Sequence, residues 1–201
     1  MVQVVDKLLN FEEFLAWYPE DGGLYELADG EVIEVRPIGR HEKISGFIAL
    51  ELGLEIRRLK LPYFIPKTCL VKPPSPNRGY IPDVAVLDES AITHDPLWEK
   101  ASTISLGQSA HLVIEIVSTN WRDDYHKKLT DYEELGIPEY WIVDYLALGA
   151  VRDIGSPKRP TLSLFYLVDG EYQVNQFRDT DRILSPSFPE LNLTADQILS
   201  L

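Results

Sequence analysis

Two acidic residues stand where the surrounding pattern has no evident use for them. Asp83 lies between apolar neighbours in Ile81-Pro82-Asp83-Val84-Ala85-Val86, and Glu115 does the same in Leu112-Val113-Ile114-Glu115-Ile116-Val117. A carboxylate buried without a partner is costly, so each is expected to be paired, protonated or bound to a cation. On the same side of neighbouring strands the two would repel each other until a cation arrived. Carboxylate oxygens of this kind suit Mg²⁺ or Mn²⁺, which keep several waters in their shell. Plainer roles stand beside this one. Asp83 could end a strand in solvent or cap a turn, and Glu115 could pair with an arginine or lysine from a covering helix.

A third element follows Glu115. Asp124, Lys128 and Tyr132 are spaced i, i+4, i+8 and share one face of a helix. That helix begins just past the carboxyl end of the Glu115 strand, the edge at which open α/β sheets place their sites. Beside carboxylates the Lys128 amine stays protonated. It is then a poor general base, but well suited to steadying a hydroxide or the charge developing on a phosphate. The plainer role is a surface ion pair with Asp124. Lys127 points about 100° aside. Ser118 and Thr119 are expected to cap the helix. His41 opens an earlier helix on its apolar stripe, where the helix dipole disfavours a charged imidazole; it reads as a hydrogen-bonded core histidine rather than a ligand. Glu26 lies in a hairpin strand, where it either joins the metal cluster or faces solvent. His94, His111 and His126 show no metal spacing with one another. No phosphate-cradling glycine loop, dinucleotide fingerprint or nucleophile elbow is present in the sequence.

These residues need a scaffold, and the pattern supplies one. A short amphipathic helix is expected over Leu9–Trp17. Leu24–Ala28 and Glu31–Val35 flank Asp29-Gly30, a strong hairpin signal. Ile44, Ile48, Leu52, Ile56 and Leu59 form the stripe of a helix from about Arg40 to Leu59. Short strands are expected near Tyr63–Ile65 and Cys69–Lys72, then a strand over Ile81–Leu87. The stretch Ser90–Gln108 has no readable period. His111–Val117 is almost continuously apolar and β-branched, as in a strand covered on both faces. A helix over about Arg122–Leu135, ended by Gly136 and Pro138, leads to the strand Tyr140–Tyr145, making a βαβ unit. Thr161–Val168 and Glu171–Phe177 form a second hairpin around Asp169-Gly170, and the tail from Ala195 forms a turn or two of helix. The fold class is α/β: a mixed central sheet flanked by helices, with hairpins near both ends and residues 1–201 forming one domain.

The 201 residues hold 45% apolar and 25% charged side chains, a globular balance. No apolar run is long enough to span a bilayer, and Met1–Phe14 lacks a signal-peptide layout. Cys69 is the only cysteine, which excludes internal disulfides and cysteine-rich zinc sites and points to the cytoplasm. The net charge of −13 argues against a surface coated for nonspecific nucleic-acid binding. Residues 56–82 nevertheless contain no acid and six bases: Arg57, Arg58, Lys60, Lys67, Lys72 and Arg78. This island reads either as a solvated helix end and loop or as a local phosphate-facing surface.

Pro82-Asp83, Glu115 in an apolar strand and a lysine together resemble the PD-(D/E)XK nuclease site. The closer similarity is to a bacterial restriction endonuclease family once catalogued as a domain of unknown function. It covers most of the chain: Tyr25-Glu26-Leu27-Ala28-Asp29-Gly30-Glu31, His41, Ile81-Pro82-Asp83, Glu115-Ile116-Val117-Ser118 and Asp124 to Lys128 to Tyr132. It ends with Gly136-Ile137-Pro138-Glu139-Tyr140-Trp141-Ile142-Val143-Asp144, the most specific block, whereas Pro-Asp is the least specific. The superfamily pattern has lysine two residues after the acid, where this chain has Val117. The related family lacks it too and moves the amine onto the following helix, which matches Lys128. The resemblance implies a restriction-endonuclease-like sheet and an endonuclease hydrolysing DNA phosphodiester bonds with Mg²⁺ or Mn²⁺. Asp83 and Glu115 would be the metal ligands and Lys128 would position the attacking water, with Glu26, His41, Asp124 and Tyr132 as accessory residues. The basic segment would approach DNA, and a homodimer would supply two sites for two strands. A second reading keeps the fold as a catalytically inactive module that binds a partner protein or nucleic acid; Val117 and the acidic charge favour it. A third is a metal hydrolase acting on a small phosphate ester.

Overall fold

The structure, a computed structural model, describes residues 7–36 and 38–201, so part of the Met1–Phe14 stretch lies outside the described residues. Helix α1 (Phe11–Trp17) starts where the Asn10 Oδ1 accepts the Glu13 N–H at 2.9 Å and the Glu13 carboxylate accepts the Asn10 N–H at 3.0 Å. These bonds satisfy two backbone groups that the first helical turn leaves open. Strands β1 (Tyr25–Ala28) and β2 (Glu31–Glu34) form the first hairpin. Asp29 and Gly30 take φ of 51° and 91°, the left-handed pair that a tight two-residue turn needs. Helix α2 (Gly39–Leu59) buries His41, Ile44, Ile48 and Leu52 along its stripe. Then follow β3 (Tyr63–Phe64), β4 (Leu70–Val71) and β5 (Val84–Asp88).

The stretch that had no readable period holds several very short elements. A 3₁₀ turn at Ala91–His94 precedes α3 (Trp98–Ala101) and β6 (Thr103–Ile104), and a second 3₁₀ turn follows at Gly107–Ser109. Buried Asp95 ties them together, accepting from the backbone N–H groups of Leu97, Ser105 and Leu106 and from the Ser105 and Ser109 hydroxyls. Strand β7 (Ala110–Ile116) is followed by a helix with an unusual start. Asp123–Lys128 is a π-helical turn that runs straight into α4 (Leu129–Leu135). Gly136, at φ 83°, closes α4. The chain continues through β8 (Glu139–Asp144), α5 (Val151–Ile154), β9 (Thr161–Val168), β10 (Glu171–Phe177) and α6 (Ala195–Leu199).

A six-stranded mixed sheet runs in the order β10-β9-β8-β7-β5-β3. Its one parallel pair is β7 with β8, as the βαβ pattern requires; the others are antiparallel. Period-two alternation sorts β7 onto two covered faces. Leu112, Ile114 and Ile116 pack with Ile44, Ile48 and Leu52 of α2. Val113 and Val117 face the other way, toward Tyr125 and Tyr132 of the crossover helix. Glu115 shares the parity of Val113 and Val117 and therefore points at that helix.

Strand β5 begins at Val84, one residue after Asp83, which corrects the expected strand Ile81–Leu87. Pro82 has no N–H to offer a ladder, so regular pairing starts only beyond it. The paired register begins at Val84↔Ile114, so Asp83 lies just outside it and is held against β7 by its own bonds. The Asp83 N–H reaches the Ile114 carbonyl at 3.1 Å, and its carboxylate accepts the Ile116 N–H at 2.6 Å. The side chain thus takes the place of a ladder carbonyl.

The crossover helix is held at its far end by a close backbone approach. A Cβ on Gly107 would collide with the Leu135 carbonyl and the Gly136 backbone. Gly107→Ala is expected to cost about 2 kcal/mol or more, because rigid backbone rather than a flexible side chain must yield. Denaturant unfolding measures this, and an unchanged midpoint would show that the loop relaxes freely.

Candidate active site

Buried Lys128 organises the site. Its Nζ lies 3.0 Å from Glu115 Oε2, 3.4 Å from Glu26 Oε1 and 3.6 Å from Asp124 Oδ1. The Tyr80 ring lies under it, 5.4 Å from the ammonium. Tyr132 donates its hydroxyl to Glu115 Oε1 at 2.7 Å. Across the strand pair, His41 Nε2 is 3.2 Å from Asp83 Oδ2. Hairpin β1–β2 brings Glu26 in, the α2 N-terminus brings His41, β7 brings Glu115, and the crossover helix brings Asp124, Lys128 and Tyr132. These elements enclose a cleft of about 360 Å³ that also opens between Ser118, Thr119, Asn120 and Leu146. The π-helical turn is a sparse geometry that occurs often at functional sites, and here it carries both Asp124 and Lys128.

Four carboxylates and two bases face one another here, and burial tunes them. Desolvation lifts Glu115 well above the usual carboxylate range; Lys128 opposes this, while Asp83, Asp124 and Glu26 add to it. Desolvation likewise lifts Asp124 to about 7, again against the pull of Lys128. For Lys128, burial pulls downward, but Glu115, Glu26, Asp124 and Asp83 win and hold it well above its ordinary value. Burial also pulls His41 down, yet its bond to Asp83 and the charges of Asp83 and Glu42 carry it above its ordinary value. Carboxylate contact thus outweighs the helix dipole that was expected to disfavour a charged imidazole. Its Nδ1 is buried without a partner among the described residues.

These directions fix the sign of a pH effect. Asp124, Glu115 and His41 all bind protons more tightly folded than unfolded, so each contributes stability that is lost as pH rises through its folded value. Carboxylates held low, such as Asp29 and Glu55, are ionised in both states above about pH 5 and drop out of this window. In EDTA the melting temperature is therefore expected to fall from about pH 5.5 to about pH 8, and Asp124→Asn is expected to flatten the slope. A slope unchanged in that variant would exclude Asp124 as its source.

The donor chemistry suits a hard divalent cation: hard oxygen donors with an excess of negative charge on one side of a cleft. Among the described residues, no group of three or more His, Cys, Asp or Glu side chains is placed to hold a metal ion. Asp83 and Glu115 would therefore complete a shell with water, which is how Mg²⁺ usually binds.

The structure gathers Glu26, His41, Asp83, Glu115, Asp124, Lys128 and Tyr132, and Glu26 faces the cluster rather than solvent. It does not gather the basic segment. Arg58 is tied to Glu55 and Glu190, Lys72 to Glu12, and Arg78 to Asp29 and Asp131. Arg57 and Lys60 stand at the far end of α2, roughly 25 Å along the helix from His41. Lys67 is exposed on a loop. Ser118 and Thr119 make no side-chain cap; they line the cleft instead, and the helix start is held by backbone bonds from Trp121 to Ser118 and Asp123 to Asn120. Sequence reasoning missed Tyr80, whose hydroxyl donates to Asp131 at 2.6 Å. Its partner lies 51 residues away, beyond any local signal.

The sheet is mixed, six-stranded and flanked by helices, and acids and a lysine converge beside the end of β7. The structure is similar to the crystal structure of "a putative nuclease belonging to DUF820" from Anabaena variabilis ATCC 29413. The TM-score is 0.70 at 19% identity, covering 96% of this chain and 98% of that one, a likeness of fold alone. Residues 11–196 match the Uma2 family, described as "Putative restriction endonuclease", and the chain belongs to that family. No curated protein matches the sequence. Among the described residues no helix is long and apolar enough to cross a membrane.

Proposed function

We propose that the protein is a divalent-metal-dependent endonuclease that hydrolyses DNA phosphodiester bonds, the whole chain acting as one domain. The observation that carries this reading is Lys128, buried, 3.0 Å from Glu115, with the Asp83 carboxylate bound to the N–H of the next residue, Ile116. Asp83 and Glu115 would hold Mg²⁺ or Mn²⁺, which when bound neutralises phosphate charge and lowers the pKa of a coordinated water. Lys128 keeps its proton in this setting, so it acts as a fixed cation that positions the attacking water and steadies charge on the phosphate. Tyr132 holds Glu115 in orientation and His41 does the same for Asp83, with Glu26 and Asp124 fixing the ammonium. The reading includes a cytoplasmic location, because Cys69 is alone, and a homodimer, because cutting two strands takes two sites.

The rival reading, an inactive binding module, draws on Val117, which is wholly buried in the apolar layer where the superfamily lysine would stand. Lys128 supplies an amine from the helix instead, and this favours the nuclease. Incubation of supercoiled plasmid with Mg²⁺ or Mn²⁺ tests the choice. The nuclease reading expects nicked and linear DNA, suppressed by EDTA. DNA binding without cleavage in either metal would make the protein a module.

A further inference from the structure

A phosphodiester substrate must approach a cleft that is strongly acidic, so cations have to meet it at the rim. Most cations around the cleft are already committed. Lys127 pairs with Asp29 and Asp123, Arg36 with Glu34, Arg78 with Asp29 and Asp131, and Lys128 with the buried acids. Two arginines stand apart. Arg40 and Arg122 are exposed, and among the described residues neither side chain has a carboxylate partner or a hydrogen bond. Each is instead laid over an aromatic ring. The Arg40 guanidinium sits 4.7 Å from the centre of the Tyr145 ring, and that of Arg122 sits 4.6 Å from the centre of the Trp121 ring.

Stacking of this kind restrains the guanidinium plane while leaving its N–H edges free, which suits bidentate capture of a phosphate. Both positions border the cleft. Arg40 precedes His41 on α2 and stacks on Tyr145, and both of those residues line the cleft; Arg122 lies between the lining residues Asn120 and Asp123. The two therefore flank the site from different elements, one on the α2 side and one on the crossover-helix side. Resting on the nuclease reading, we propose that Arg40 and Arg122 grip DNA backbone phosphates on either side of the scissile one. This replaces the segment from Arg57 to Arg78 as the DNA-facing surface. The acidic remainder of the molecule then restricts docking to this rim.

The test is binding of a DNA duplex of about 20 base pairs in Ca²⁺, chosen to hold the complex uncut, across a salt series, followed by cleavage kinetics in Mg²⁺. Arg40→Ala and Arg122→Ala are each expected to weaken binding about fivefold or more and to lower the slope of log affinity against log salt by about 0.9, the double variant by about twice that. Both side chains are solvent-exposed, so unchanged melting curves should accompany the loss. Arg40→Lys is expected to restore the salt slope but not the full affinity, because charge returns without the stacked fork. In cleavage, KM should rise while kcat at saturating DNA stays near the parent value. Arg159→Ala, on the loop between α5 and β9 and paired with Asp179, serves as the control. Unchanged affinity and slope in the double variant overturn the arginine pair and leave the nuclease reading standing. Binding that depends on both arginines in a chain that never cuts supports the pair and removes the nuclease reading. A parent chain that does not bind DNA removes both.

Discussion

Asp83→Ala is expected to reduce DNA cleavage by about a thousandfold or more, roughly 4 kcal/mol of transition-state stabilisation. Asp83 is bound to both chain neighbours of Glu115, its N–H to the Ile114 carbonyl and its carboxylate to the Ile116 N–H. Because its carboxylate also accepts the Ile116 N–H, alanine leaves a backbone donor unpaired and costs about 1–3 kcal/mol of stability. Asp83→Asn separates the two effects. Its amide oxygen can still accept that N–H, so stability should recover while cleavage does not. Glu115→Gln is expected to behave like Asp83→Asn, since glutamine can still accept from the Tyr132 hydroxyl. Single-turnover cleavage and denaturant unfolding, run side by side, measure both quantities. Cleavage by Asp83→Asn within tenfold of the parent would remove Asp83 from the site.

Lys128→Met is expected to lower the single-turnover rate by about 10²–10⁴-fold with little change in KM, the pattern for an interaction made in the transition state. Methionine fills much of the same volume without the charge. The fold should survive this change better than loss of one member of a buried ion pair usually allows. The reason is that burial already lifts Glu115 and Asp124, so both acids can hold protons when the ammonium is gone. Lys127→Met, one residue earlier, removes a partly exposed cation tied to Asp29 and Asp123 and should cost far less. Equal losses in the two variants would point to a general electrostatic effect rather than to the buried amine.

Much of this arrangement is legible in the sequence because its parts are local. His111–Val117 reads as a doubly covered strand from its almost continuous apolar run, and Glu115 stands out against it. The i, i+4, i+8 spacing of Asp124, Lys128 and Tyr132 survives even through the π-helical turn. The two hairpins announce themselves through Asp-Gly pairs whose φ values are positive. What escapes the sequence is set by distant partners. The basic segment looks like one surface until Glu12, Glu190 and Asp131 pair with Lys72, Arg58 and Arg78 from 60, 132 and 53 residues away. Glu26 is oriented by the Ile81 N–H and by Lys128, 55 and 102 residues later. The Ser90–Gln108 stretch has no period because its elements are too short to show one, and Asp95 joins them by contacts to Ser105 and Ser109. Arg40 and Arg122 carry no local mark either, since their standing depends on which neighbouring cations are already paired.

The central claim is that Asp83 and Glu115 converge on one cation beside Lys128. A crystal of the protein soaked in Mn²⁺ and measured at the manganese absorption edge tests it most directly. The account predicts an anomalous peak between the two carboxylates, completed by water and absent in Asp83→Asn. A soaked crystal with no peak there, or with manganese bound only elsewhere on the acidic surface, would contradict it.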